Sequence, residues 1–255
     1  MEIHKKYGFS RLIYAPGIAD PYLLPVLVYM GISIFDDVLM RKIALDGYEA
    51  TPLGYVEKSD ADPEGNVSFC RNMLETLSLS TEKKTLREIT EKYMISGKSM
   101  EILRILDSEY MENQLQVFPR ITPYIRANDI MSLSRPDLVE YRNKITGYYM
   151  RPSGKDILLL IPCSARKPYS QSKSHKRIIE ALSGLRSRVH EVIVTSPVGL
   201  VPRDLEGIYP AAFYDIPVIG KWYDEEKAMI NDMLKQFISR NNYSRIIAFV
   251  REDLD

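Results

Sequence analysis

Cysteine is scarce in this chain: Cys70 and Cys163 are its two thiols among 255 residues. Two thiols exclude a disulfide framework and a four-cysteine zinc site, and they fit a reducing compartment. Net charge is missing as well, because 34 basic residues balance 34 acidic ones. Attraction of the chain as a whole to nucleic acid is therefore excluded. Long apolar runs are also lacking. The most apolar stretch, Tyr22 to Ile34, contains Pro25 and falls short of the roughly 18 residues of a membrane span. The opening Met1-Glu2-Ile3-His4-Lys5-Lys6 has no apolar signal core. No internal repeat or low-complexity tract is present. The expectation is a cytoplasmic globular protein with no membrane segment, 45% apolar and large enough for one large domain or two modest ones.

The charge balance is uneven along the chain. Arg151 to Leu200 holds nine Lys or Arg against Asp156, Glu180 and Glu191, a local excess of six positive charges. Pattern divides the chain as well, into a helix-rich first part, 1–150, and an alternating α/β part, 151–255. In the first, Pro16 and Gly17 precede an apolar helix over Pro21 to Met30. Ile32 to Phe35 alternates like a short strand, and Asp36 or Asp37 starts a helix that Gly47 ends. From Asn66 to Leu115, apolar residues at three and four spacing predict two or three helices, and Pro136 opens another that runs to Tyr149. In the second part, Ile157 to Ile161 is an uninterrupted apolar run of the kind buried in a parallel sheet. A helix from Ser172 or Ser174 to Leu182, a strand over Val189 to Thr195, a helix capped by Asp224 and a strand over Ile246 to Val250 complete a mainly parallel α/β domain.

One segment concentrates reactive side chains: Ile161-Pro162-Cys163-Ser164-Ala165-Arg166-Lys167-Pro168-Tyr169-Ser170-Gln171-Ser172-Lys173-Ser174-His175. It leaves the carboxyl end of the first buried strand and enters a helix, and in open α/β sheets that edge is where ligands bind. A thiolate beside Arg166, Lys167 and a helix N-terminus has a lowered pKa, which suits a nucleophile. A small core cysteine in a solvated loop is the bland alternative. His175 lies one turn into the helix, as a proton donor or acceptor facing Cys163 or as a surface or capping histidine. Tyr169 is a stacking face or a core-edge residue, and Ser172 a helix cap or a phosphate ligand. Asp215 is an acceptor or a turn cap, and Trp222 a second stacking face or core packing.

The pattern Pro-Cys, three residues, Lys-Pro-Tyr, two residues, Ser, two residues, His, filled by Pro162, Cys163, Lys167, Pro168, Tyr169, Ser172 and His175, resembles the signature of the archaeosine synthases. Ser132 to Asp137, Thr195 to Glu206, Tyr209-Pro210 and Tyr214 to Val218 extend the resemblance, which covers at least Leu133 to Asp255. Pro25 to Phe35 and Gly47 to Gly54 resemble, more weakly, a shortened remnant of the tRNA-guanine transglycosylase barrel. The zinc site of that family needs three clustered cysteines and a histidine, which this chain cannot supply, so neither metal nor cofactor is expected.

The resemblance implies addition of free lysine to the nitrile of 7-cyano-7-deazaguanine in the tRNA D-loop, on a core related in fold to uracil-DNA glycosylases, with a radical-SAM enzyme acting next. It implies catalytic roles for Cys163, Lys167 and His175, with Pro162, Ser164, Arg166, Tyr169, Ser172, Ser196 and Asp215 lining the substrate site. Cys163 attacks the nitrile to form a thioimide, or only lines the pocket. The family also carries a tRNA-docking PUA domain, so a core-only or split form with a separate PUA-domain partner is expected. The rival reading is a noncatalytic subunit that presents tRNA to a partner enzyme. A base glycosylase, by analogy of fold alone, ranks last.

Overall fold

The computed structural model describes residues 1–117, 122–127, 129–215 and 221–250. Two compact units divide between Thr122 and Pro123, earlier than the boundary expected at 150/151. The helix expected at the end of the first part packs within the second unit: Leu138, Tyr141 and Ile145 share one core with the strands that follow.

In the first unit, α1 (Glu2–Tyr7), α2 (Leu24–Tyr29) and α3 (Val38–Leu45) precede a hairpin of β1 (Tyr48–Thr51) and β2 (Gly54–Glu57), and then come α4 (Pro63–Glu82), α5 (Leu86–Lys92), α6 (Gly97–Glu109) and α7 (Met111–Val117). The Asn66 to Leu115 region thus yields four helices rather than two or three. Gly97 starts α6 behind its Ser96 cap, and Tyr110 ends it before α7 begins. The strand expected over Ile32 to Phe35 is a single bridge, Tyr14 to Ile34, and the β1/β2 hairpin was not anticipated. Leu24, Met40, Val67, Cys70 and Leu77 form the core. Arg87 is buried and bonds both oxygens of Asp107 at 2.7 Å and Glu91 at 2.6 Å, so its charge is compensated.

The second unit begins with β3 (Ile125–Arg126), a 3-10 turn and α8 (Pro136–Gly147), followed by β4 (Ile157–Pro162), α9 (Lys173–Ala181), β5 (Val189–Thr195), β6 (Gly199–Pro202), β7 (Tyr214–Asp215), α10 (Asp224–Asn241) and β8 (Arg245–Ala248). Its main sheet has the order β6-β5-β4-β8. Both neighbours of β4 run parallel to it, and only β6 is antiparallel, so the α/β class with a mainly parallel sheet is the observed one. β6 has no clear sequence signal: four residues after a proline turn carry too little alternation to read as a strand. A short parallel pair joins β3 to β7. Tyr223, not Asp224, precedes α10, and Glu226 reaches back to its backbone N–H at 2.7 Å. Among the described residues no helix is long and apolar enough to cross a membrane. Ile216 to Val218, part of the resemblance, lies outside the described residues.

His190 on β5 is buried among Tyr149, Phe237 and Tyr243, with ring centroids 5.7–6.0 Å apart. Burial pushes its pKa down to about 4. Because the unfolded ring titrates near 6.5, stability is complete above that pH and is lost as pH falls toward about 4, by about 3 kcal/mol. Thermal unfolding followed from pH 7 to 4 should show this loss in the wild type and a shallower one in His190→Gln. Equal slopes would remove His190 as the cause.

Candidate functional site

The register of the central strands creates the site. Pro162 pairs with Val194 across the parallel β4/β5 ladder, so Cys163 and Thr195-Ser196 emerge at the same sheet edge. β4 is apolar throughout because both of its faces are covered. Its chain then turns through Ser164, whose hydroxyl donates to the Arg166 carbonyl at 3.1 Å, and re-enters helix at Ser172. The Ser172 hydroxyl accepts from the His175 N–H at 3.2 Å. That is the capping alternative, and it occupies the group otherwise available to phosphate.

His175 is 1% exposed and both of its ring nitrogens are engaged. Nε2–H donates to the Pro162 carbonyl at 3.0 Å, and Nδ1 accepts from the Arg203 guanidinium at 2.8 Å. The pair of bonds fixes a neutral ring and its tautomer. Burial, seconded by the Arg203 charge, lowers its pKa. The ring therefore faces the carbonyl beside Cys163 with no free nitrogen for proton transfer. Arg203 in turn bonds Glu191 at 2.7 Å and Glu206 at 2.8 Å. Glu191 is 1% exposed in the middle of β5. A carboxylate in an apolar strand is itself the signal that could have found Arg203, because such a charge needs a partner.

On the other side of the loop, Lys167 is half-buried, with its ammonium 3.8 Å from the centre of the Tyr214 ring, a cation–π contact. Burial lowers its pKa, opposed by the nearby Cys163 thiol and Asp215 carboxylate. Cys163, Lys167 and Asp215 are thus electrostatic neighbours. Asp215, on β7, is exposed and accepts from Tyr124 Oη at 2.5 Å. Tyr169 departs from the stacking expectation: it is fully buried, its ring lies against His175 and its hydroxyl is 2.6 Å from that of Tyr214, so it has no open face for a base. Tyr214 and Thr195, whose hydroxyls bond each other, are the unpredicted members of this floor.

Ser196 is also withdrawn. It is 2% exposed and donates to Glu226, which α10 presents from its first turn. Arg166 is exposed and, among the described residues, its side chain reaches the Gln171 side chain at 3.4 Å. Trp222 packs partly against the core. A groove of about 630 Å³ is lined by Lys155, Arg186, Arg203, Asp204 and Glu206, among others, and so presents both signs of charge. Among the described residues no three His, Cys, Asp or Glu side chains gather as a metal-binding group. A partly exposed thiol at the end of β4, a desolvated amine and a carboxylate that both influence it suit nucleophilic addition with proton transfer.

Residues 138–255 match a family described as a domain of unknown function, DUF5591. The chain is 52% identical over 256 residues to the archaeosine synthase subunit alpha of Thermoplasma acidophilum, covering 100% of this chain and 50% of that protein. It is 31% identical to the archaeosine synthase of Haloferax volcanii, over 91% of this chain and 43% of the relative. It is 22% identical to the tRNA-guanine(15) transglycosylase of Methanothermobacter thermautotrophicus, over 88% and 39%. The resemblance to archaeosine synthases therefore runs the length of the chain, and the weaker likeness to a transglycosylase spans most of it. The chain spans half or less of the length of these relatives.

Arg203→Gln should leave Glu191 buried without its full charge partner and His175 without its donor. The expected cost is about 3 kcal/mol in urea unfolding, the magnitude of a broken buried ion pair. A loss near zero would mean that the network does not hold the loop.

Proposed function

We propose that this chain carries the part of an archaeosine synthase-type enzyme that joins free lysine to the nitrile of 7-cyano-7-deazaguanine in tRNA, as one step of archaeosine formation. The observation that carries the reading is a desolvated Lys167 that feels both the Cys163 thiol, at the carboxyl end of β4, and the Asp215 carboxylate of β7. In the reaction we infer, the Cys163 thiolate adds to the nitrile carbon while the Lys167 ammonium gives its proton to the nitrile nitrogen, forming a thioimide. The amine of lysine then attacks the same carbon, Lys167 takes up the proton which that amine loses, and the thiolate leaves. The product is an amidine with all atoms retained. A lysine whose pKa burial lowers suits both transfers, because it gives up its proton more readily than a surface lysine does.

His175 acts here as a positioning residue that holds the Pro162 carbonyl and thereby the start of the loop, rather than as the acid or base. Asp215 is left to accept from the base edge or from an ammonium. A core of the glycosylase type that takes one extruded base, and a reducing, cytoplasmic setting, belong to this reading, as do a radical-SAM enzyme acting next and a separate PUA-domain protein on the tRNA.

Incubation of the protein with nitrile-bearing tRNA and labelled lysine should transfer label to the tRNA. Cys163→Ala should lower the rate at least a hundredfold, and Lys167→Met should lower kcat more than it raises KM for tRNA. Without lysine, the wild type should trap a covalent protein–tRNA species that Cys163→Ala lacks. Full activity of the alanine variant would reduce Cys163 to a lining residue. If no label is transferred while tRNA still binds, the noncatalytic presenting role takes its place.

A further inference from the structure

The charges of α9 run against its dipole. Lys173 opens the helix, Lys176 closes its first turn, no acid lies in that turn, and Glu180 sits one residue from the end. A helix is normally stabilised by the opposite arrangement. α10, in the same unit, has it: Asp224, Glu225 and Glu226 first, Arg240 last. Lys173, Lys176 and Arg177 are all exposed, and their i, i+3, i+4 spacing puts them on one face, away from the buried His175.

Among the described residues these cations also lack internal partners. Elsewhere in the unit, Arg135 pairs with Asp137, Lys144 with Glu140, Arg188 with Asp156, and Arg203 with Glu191 and Glu206. Among the described residues, Lys173, Lys176 and Arg177 have no carboxylate within ion-pair reach. Arg166, exposed in the loop that leads into the helix, meets only an amide oxygen. Three like charges on one short helix repel one another and oppose its dipole, and Glu180, at i+4 from Lys176 and i+3 from Arg177, forms no ion pair with them.

We propose that the outer face of α9, with Arg166, is the surface along which the phosphate backbone of the substrate RNA runs as one of its bases enters the site beside Cys163. The inference rests on the tRNA reading above and adds the surface that binds it. Lys173 to Arg177 covers about 6 Å of helix axis, close to the rise of two nucleotides along a strand. Ser172 caps α9 and His175, on its inner face, bonds the carbonyl of the residue before Cys163, so this helix joins the cationic face directly to the site loop. Lysines and an arginine without base-reading partners bind the backbone whatever its sequence.

The test is binding of the unmodified tRNA transcript over a salt series by three full chains: the wild type, Lys173→Glu/Lys176→Glu, and a control of equal charge change on α10, Lys227→Glu/Lys235→Glu. The α9 variant should lose at least tenfold in affinity at about 0.1 M salt, with the logarithmic salt slope shallower by about two. Its thermal midpoint should be unchanged or raised, because acids then occupy the first turn, so a loss of affinity cannot come from unfolding. Equal affinity of wild type and α9 variant overturns the inference and leaves the catalytic reading standing. Equal losses in the α9 and α10 variants overturn it in favour of diffuse attraction. Failure of the wild type to bind tRNA overturns the tRNA reading as well. Arg177→Glu alone serves as a second α9 variant, with a slope shallower by about one.

Discussion

The site depends on one buried charge being answered. Glu191 sits in the middle of β5, where every neighbour along the strand is buried, and a carboxylate there carries a desolvation cost that only a close cation offsets. Arg203 supplies the close cation at 2.7 Å, with Arg186 farther off at 3.4 Å, and the Arg203 guanidinium spends a further donor on His175. His175, held neutral, passes the constraint to the Pro162 carbonyl at the end of β4. The chain of contacts ties β5, the segment after β6 and the start of α9 to the carbonyl immediately before Cys163. Remove the strand carboxylate and the arginine has less reason to be there, the imidazole loses its fixed tautomer, and the loop loses its anchor.

A second layer of the same economy lies under Lys167. Tyr169, Tyr214 and Thr195 link their hydroxyls within the core, so the aromatic rings stay fixed and present one ring face upward. Lys167 covers that face, where the π cloud stabilises its charge but water does so less well than in the open. The amine is thereby easier to deprotonate than a surface lysine, although the Cys163 thiol and the Asp215 carboxylate work in the other direction. Burial wins because the group is half removed from water, and the two acidic neighbours moderate the shift without reversing it.

Those features differ in how plainly the sequence displays them. β4, β5, α9 and α10 are readable because each has a periodicity that a single environment enforces: a run of apolar residues where both faces are covered, or an apolar stripe where one is. The edge at which Cys163 and Ser196 emerge follows from two such strands lying parallel. The β1/β2 hairpin and β6 are four residues each, with little alternation, and become strands only through their partners. Side-chain roles were harder still. Ser172 has a hydroxyl, and the spacing cannot say whether it caps a helix or meets a phosphate. Tyr169 has a ring, and the spacing cannot say which of its faces is free. What fixes these choices is contact with residues far away in sequence, such as Tyr214 and Arg203. Glu191 is the exception, since a lone acid in an apolar strand advertises a missing partner.

Buried and exposed cations follow different logic in the second unit. Arg142, buried and bonded to the Pro197 carbonyl and to that of Leu133, has its pKa lowered to about 10 by desolvation and ties α8 to the loop after β5. It remains charged near neutral pH, so its two carbonyl partners are what make its burial tolerable. Arg203 is accommodated in the same way by two carboxylates. Both guanidiniums are structural because their donors are spent inside the fold. The exposed cations of α9 spend none, and their cost falls on the helix itself through its dipole and their mutual repulsion. A fold that matches charge so closely wherever charge is buried, and leaves it unmatched on the helix leading out of the site loop, has separated the groups that hold the loop in place from those available to an incoming ligand.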